Sequence, residues 1–280
     1  MPSESLDARY QQMRRIIRSL ERVAVAFSAG ADSTFALKVA LDVLGPDNVL
    51  AVVGRSDSLP QAELEAAQTL ASELGAELAV VAPGELGNAD YAANPQNRCY
   101  YCKNMLYGEI ERFARARGIT QIINGTNADD YSDWRPGITA GEERRVRSPV
   151  AEAGLTKAEV RELSRRLGLP TSDKPASPCL ASRVQYGEQI TAEKLRMIES
   201  CEAFLHKLGL RECRVRHHHR LARIEVPPDQ IARLADAHTR RRIVEHFRKA
   251  GYQYVTLDLQ GFRSGSMNEV IGVGMPRRQP

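Results

Sequence analysis

The sequence has no apolar run of the roughly 18 to 20 residues that a membrane span requires. Its N-terminus, with Glu4, Asp7, Arg14 and Arg15, also lacks the apolar core of a signal peptide. A cytoplasmic protein with no membrane partner is expected. Charge of one sign is scarce as well: 39 Lys+Arg against 35 Asp+Glu leave a formal net charge of +4, too little by itself to imply nucleic acid. Cysteine is limited to 5 residues, an odd count that points away from a disulfide framework and toward metal or redox chemistry. What is present is an ordinary globular mixture, 42% hydrophobic and 26% charged. At ~150 residues per domain, 280 residues suggest two domains.

Leu6, Tyr10, Met13, Ile17 and Leu20 recur at helical spacing and predict an amphipathic helix over residues 4–21. Short apolar runs at Val23–Phe27, Val49–Val53, Glu77–Val81 and Gln121–Ile123 read as strands, separated by helical stretches at Thr34–Leu44, Gln61–Leu74 and Lys103–Arg117. Strand alternating with helix implies the α/β class: a Rossmann-like, doubly wound parallel sheet. A helix over Lys157–Leu167 closes this half, expected to span residues 1–172. Gly168–Gly187, with three prolines, reads as a functional connection. A smaller C-terminal α+β domain is expected over 173–280: a helix through Leu195, Ile198, Cys201, Leu205 and Leu208, an alternating stretch Glu212–Val226, a helix opened by Pro228 and Asp229, a strand Gln253–Leu259, and a frayed tail.

The first strand runs into Ser28-Ala29-Gly30-Ala31-Asp32-Ser33, where a helix begins at once. Small residues leave backbone amides facing whatever lies above the sheet, and the helix N-terminus adds partial positive charge, a combination that binds anions. Ser28, Ser33 and Thr34 offer hydroxyls for phosphate oxygens, and Asp32 is placed to help hold Mg²⁺. The alternative is a plain small-residue turn. No Gly-Lys-Ser/Thr of a Walker loop follows, which argues against γ-phosphate transfer. Arg55-Ser56 and Gly125-Thr126-Asn127 fall after the second and fourth strands, at the sheet edge where doubly wound folds bind ligands, and they support ATP.

Cys99 and Cys102 open a helix at i,i+3 spacing, so both thiols share a face, and the helix N-terminus favours their thiolates. Cys179 lies in the irregular connection, between Pro178 and Arg183. Three cysteines without an evident fourth suit a [4Fe-4S] cluster with one open iron. Zinc, with one of His217, His218 and His219 as a fourth ligand, is the rival, and a pair of core thiols is the plain alternative for Cys99 and Cys102. Cys201 and Cys213 fall on apolar faces and read as core residues. Arg214 and Arg216 point to one face of an extended segment and make a paired clamp for a phosphate or carboxylate, unless they are only a solvated stripe. Asp129, Asp130 and Asp133, with Trp134 and Arg135, follow the Gly125 turn and are placed to border the ATP site, unless they are only a solvated loop.

The SAGADS loop resembles the SGGxDS signature of the ATP-pyrophosphatase (PP-loop) superfamily, with Ala29 where that signature has glycine. Together with GTNADDYSDWRPG, RSPVAEAGLTKAEVRELS, DKPASPCLASRVQYGEQIT, RVRHH and VTLDLQGFRSGSMNE, it makes residues 10–270 resemble the LarE family of ATP-dependent sulfur transferases. The resemblance implies a small-molecule nucleotide substrate: a carboxylate of a pyridinium dicarboxylate mononucleotide is adenylated, pyrophosphate leaves, and sulfur is inserted on the route to the nickel-pincer nucleotide of lactate racemase. It also implies a homo-oligomer. In one version of the family a cysteine matching Cys179 gives up its own sulfur and becomes dehydroalanine. In the other, two further cysteines join it around an iron-sulfur cluster, and Cys99 and Cys102 place this chain in that type. Cys179, Asp32 and Arg183 are then the expected catalytic residues. Two readings compete with this one. A tRNA thiolase of the same superfamily lacks support from any separate tRNA-binding module, and a non-catalytic nucleotide- and metal-binding module is allowed by the Ala29 departure.

Overall fold

A computed structural model describes residues 5–132, 135–175 and 177–263. Asp133, Trp134, the expected C-terminal tail and most of the GFRSGSMNE stretch lie outside the described residues. The chain runs through α1 (Leu6–Arg18), β1 (Val23–Ala26), α2 (Ala31–Leu44), β2 (Val49–Gly54), α3 (Gln61–Glu73), β3 (Glu77–Val81), α4 (Ala89–Ala92), α5 (Arg98–Arg115), β4 (Gln121–Ile123), α6 (Pro136–Glu143), α7 (Pro149–Glu152) and α8 (Lys157–Arg166). It continues through α9 (Ala192–Lys207), β5 (Arg214–His218), β6 (Leu221–Glu225), α10 (Ile231–Ala235), α11 (Ala237–Lys249) and β7 (Tyr254–Leu257). Two compact units result: one holds the chain as far as Tyr91 together with Asn97–Ser177, the other holds Ala92–Gln96 and the chain from Pro178 onward.

The first unit is built on four parallel strands in the order β3-β2-β1-β4, with Val23 opposite Val49 on one side and Gln121 on the other. β1 and β2 are unbroken apolar runs because both faces of the sheet are covered. Val23, Val25, Ala51 and Val53 pack with Met13, Phe35 and Val160 on one face. Ala24, Leu50, Val52 and Ile122 pack with Tyr107 and Ile110 on the other. The parallel, doubly wound sheet therefore stands as the alternation of strand and helix predicted. Helices α6 and α7, which hydrophobic periodicity does not reveal, are short, and each begins on a proline whose fixed φ suits a first helical position.

The second unit has a mixed sheet in the order β5-β6-β7, antiparallel between β5 and β6 and parallel between β6 and β7. Val215, Ala222 and Ile224 face a core with Cys201, Leu205, Phe247 and Tyr252. The alternating stretch is a hairpin, its turn made by His219 and Arg220, with His219 at φ 52°. The helix expected after Pro228 is broken at Asp236, whose carboxylate accepts the amides of His238 and Thr239 and starts α11 afresh. No helix among the described residues is long and apolar enough to cross a membrane.

Helix α8 starts on a reciprocal cap: the Glu159 amide donates to Thr156 Oγ1 at 3.3 Å, and the Thr156 amide donates to Glu159 Oε2 at 3.0 Å. Thr156→Ala removes one half of this pair, and a loss of about 1 kcal/mol in urea unfolding is expected.

Candidate functional site

The loop between β1 and α2 is the first part of the site. Phe27 is the last residue tied to the neighbouring strand, through its amide to Val52 O at 2.8 Å. The Ser28 amide donates to Ser33 Oγ at 3.2 Å, the two serine hydroxyls lie 3.1 Å apart, and Ser33 Oγ donates to Gly30 O at 3.2 Å. These bonds close the loop on itself. Gly30 starts α2 without a side-chain cap, so the amides of its first turn keep no helical partner and stay available to an anion. Thr34 is buried, and its hydroxyl belongs to the interior and not to the mouth of the loop. Ala29 takes φ 53°, a left-handed conformation, with the residue 1% exposed among core residues. The extra methyl thus packs inward and does not crowd the loop's mouth.

Asp32 opens α2. Burial first, and then the charge of Asp130, push its carboxyl above the usual range, with Lys157 acting in the opposite direction. Its buried Oδ1 makes no hydrogen bond among the described residues. A half-buried carboxylate beside a second one, with an oxygen left over, has the chemistry of a hard-cation site and fits Mg²⁺. Asp130 is fixed by Arg135 at 2.7 Å and by a reciprocal pair with Asn127: the Asn127 amide donates to Asp130 Oδ2 and the Asp130 amide to Asn127 Oδ1. In the sequence Asp130 is one member of a charged loop, and its burial and its partners distinguish it.

The Gly125 turn meets the phosphate loop directly. A Cβ at Gly125 would lie 2.6 Å from Asp32 C and Ser33 N. Thr126 is held by its amide to Asn124 Oδ1 at 3.0 Å. Arg55 continues the sheet edge through its amide to Val81 O at 2.8 Å, and Ser56 Oγ lies 3.0 Å from Ser58 Oγ. Lys174, a residue to which sequence reasoning assigns no role, donates to Ala29 O at 3.1 Å and to Glu63 Oε2 at 2.7 Å.

Cys179 belongs to the second unit. It precedes the 3-10 turn Leu180–Arg183 and is half-buried. Arg183, 2% exposed, donates through Nε and Nη2 to both oxygens of Glu202 at 3.0 Å, a bidentate buried pair. Its Nη1 donates to Pro178 O at 2.5 Å, Cys179 O at 3.1 Å and Ser182 Oγ at 2.9 Å. The guanidinium is committed to the backbone that carries Cys179. Glu202 in turn accepts the Val215 amide at 2.9 Å, joining this turn to β5. Sequence reasoning misses Glu202, since a glutamate on a helix ordinarily faces solvent.

Arg214 and Arg216 share a face of β5, as alternation requires. Arg216, 6% exposed, donates through Nε and Nη2 to Glu225 Oε2 at 3.0 and 2.8 Å and through Nη1 to Ser182 O at 3.2 Å. The Arg214 guanidinium lies over the Phe262 ring at 5.0 Å and donates to Cys213 O at 2.7 Å. Burial and then the positive charge of Arg183 hold its pKa below the ordinary value, with Glu202 acting in the opposite direction.

Cys99 and Cys102 fall in the first turns of α5, Cys99 exposed and Cys102 half-buried. The thiol chemistry of Cys99, Cys102 and Cys179 suits iron or zinc, yet no group of three metal-ligating side chains is gathered among the described residues. Burial pushes the Cys201 and Cys213 thiols up to about 12, in keeping with inert core cysteines.

The contact at Gly125 generates a test. Gly125→Ala forces the loop and the start of α2 apart, a strain of about 1–3 kcal/mol. Loss of Mg·ATP binding in calorimetry, out of proportion to the fall in melting temperature, is the expected result.

Comparison with known proteins gives a family model described as NAD synthase matching residues 10–122. An uncharacterized protein of Synechocystis sp. is 45% identical over 266 residues, 95% of this chain and 99% of its own. Pyridinium-3,5-bisthiocarboxylic acid mononucleotide synthase of Lactiplantibacillus plantarum is 40% identical over 255 residues, 91% of this chain and 92% of its own. An uncharacterized protein of Methanocaldococcus jannaschii is 26% identical over 244 residues, 87% of this chain and 92% of its own. With the phosphate loop on a parallel sheet and the synthase matched almost end to end, the chain belongs to the LarE family of ATP-dependent sulfur transferases.

Proposed function

We propose that the protein adenylates a carboxylate of a pyridinium dicarboxylate mononucleotide, releases pyrophosphate, and replaces AMP by sulfur to give a thiocarboxylate for nickel-pincer nucleotide biosynthesis. The thiocarboxylate product follows the name of the Lactiplantibacillus plantarum relative, and the dicarboxylate is the same compound before sulfur is inserted. The observation that carries the adenylation half is the uncapped N-terminus of α2 with the Asp32 carboxylate, its Oδ1 without a hydrogen bond among the described residues, beside Asp130.

In this reading the backbone of Ala29, Gly30 and Ala31 and the hydroxyls of Ser28 and Ser33 hold the pyrophosphate portion of ATP. Arg55, Ser56, Gly125, Thr126 and Asn127 border the rest of the nucleotide. Asp32 and Asp130 would hold Mg²⁺, which supplies positive charge to the departing pyrophosphate. A carboxylate oxygen bonds to the α-phosphorus as the bond to the β-phosphate oxygen breaks. No proton moves, so alignment and charge stabilisation are the protein's contributions.

For the second half, Arg214 and Arg216 are proposed as the substrate-phosphate site. Arg216 is held toward Ser182 O by its bonds to Glu225, and Arg214, on the same face of β5, supplies the second guanidinium of the clamp. Arg183 holds the Cys179 turn in place. Cys99, Cys102 and Cys179 would hold a [4Fe-4S] cluster, which when bound would supply sulfide. C–S bond formation at the acyl carbon breaks the C–O bond to AMP.

The test is iron, zinc and acid-labile sulfide per chain after anaerobic purification, with thiocarboxylate counted by mass spectrometry. Wild type is compared with Cys99→Ser, Cys102→Ser and Cys179→Ser. About four irons with matching sulfide, lost in every variant together with multiple turnover, is the expected result. Zinc in place of iron, or a single turnover that leaves dehydroalanine at position 179, overturns the cluster and leaves Cys179 as the sulfur donor.

A further inference from the structure

Ala29 is an alanine in a conformation that L residues seldom take. At φ 53° its Cβ crowds the following carbonyl, and such strain persists only where the surroundings over-determine it. Two contacts do so here. The methyl is buried in the core of the first unit, and the carbonyl accepts a hydrogen bond from the Lys174 ammonium at 3.1 Å.

Lys174 is itself anchored. Its Nζ also donates to Glu63 Oε2 at 2.7 Å, in the first turn of α3. Its own carbonyl accepts from Arg161 Nη2 of α8 at 3.4 Å, and its amide donates to Thr171 O at 3.0 Å. Two helices and a turn thus fix where the ammonium sits. The Ala29–Gly30 peptide is trans. In a planar trans peptide C=O and N–H point in opposite directions, so a carbonyl turned toward Lys174 aims the Gly30 N–H the other way. That amide is the first of the donors offered to an anion at the start of α2.

We infer that Lys174 is a positioning residue that latches the phosphate loop: by holding the Ala29 carbonyl it keeps the left-handed turn, and with it the aim of the Gly30 amide, in the geometry that binds ATP. The inference rests on the ATP site proposed above. It also accounts for an alanine at a position where the SGGxDS signature has glycine, because the latch imposes the turn that glycine would adopt without strain.

The test is a double-mutant cycle on Mg·ATP affinity, measured by calorimetry on the full chain for wild type, Lys174→Met, Ala29→Gly and the double variant. Lys174→Met weakens ATP by about tenfold beside the native alanine, the scale of one charged hydrogen bond. In the Ala29→Gly background the same change weakens it by less than about threefold, because glycine takes the left-handed conformation without strain. Equal losses in both backgrounds overturn the latch and identify Lys174 as a direct phosphate contact. No loss in either background overturns it as well. Where Lys174→Met does not fold, Lys174→Gln, which keeps an N–H donor without the charge, takes its place in the same cycle. A smaller loss beside glycine than beside alanine supports the latch there too, and equal losses contradict it. Wild-type protein that binds no Mg·ATP refutes the proposed site itself, a result distinct from an additive cycle.

Discussion

The uncapped N-terminus of α2 is the constraint on which the chemistry of the first unit depends. A helix usually commits its first amides to a Ser, Thr, Asp or Asn side chain, and here no side chain caps them. Everything around them serves to hold that arrangement. Ser28 and Ser33 tie the loop to itself, and Gly125 lets a second loop approach within the space of a missing methyl. Asp32 lies half-buried beside Asp130, and a bound cation would oppose the upward shift of its carboxyl, since positive charge favours the ionised form that burial disfavours.

In the second unit the corresponding anchor is the buried pair between Arg183 and Glu202. Buried pairs are weak contributors to net stability but strong determinants of geometry when every donor is used. Arg183 uses Nη1 on three acceptors around Cys179, and Glu202 reaches on to the β5 backbone. The thiol is therefore carried on a rigid turn, although that turn lies in an irregular part of the chain. A parallel logic applies to Arg216, whose charge is answered by Glu225, while Arg214 rests over the Phe262 ring.

Much of this is legible in the sequence because parallel strands covered on both faces are short apolar runs, and β1 and β2 are written that way. The phosphate loop is legible from its small residues at a strand-to-helix turn. Other features are set by contacts that sequence spacing does not encode. Lys174 meets Ala29 across 145 positions, and Glu202 meets Arg183 through burial of two charges that composition alone assigns to the surface. The β5–β6 turn uses His219 and Arg220 where a tight hairpin ordinarily shows Asn-Gly or Asp-Gly, so its signal is absent. Asp130 is buried against Asn127 and Arg135 while Asp129 is exposed and accepts the Lys157 amide, and a charged loop read as letters does not separate them.

The central claim is that this loop activates a carboxylate by adenylation, and isotope exchange between pyrophosphate and ATP tests it most directly. With a pyridinium dicarboxylate mononucleotide and Mg²⁺ present, labelled pyrophosphate should enter ATP, and Asp32→Asn should abolish the exchange while the protein remains folded. Exchange without the carboxylate substrate, or cleavage of ATP to ADP and phosphate in its place, would contradict the account.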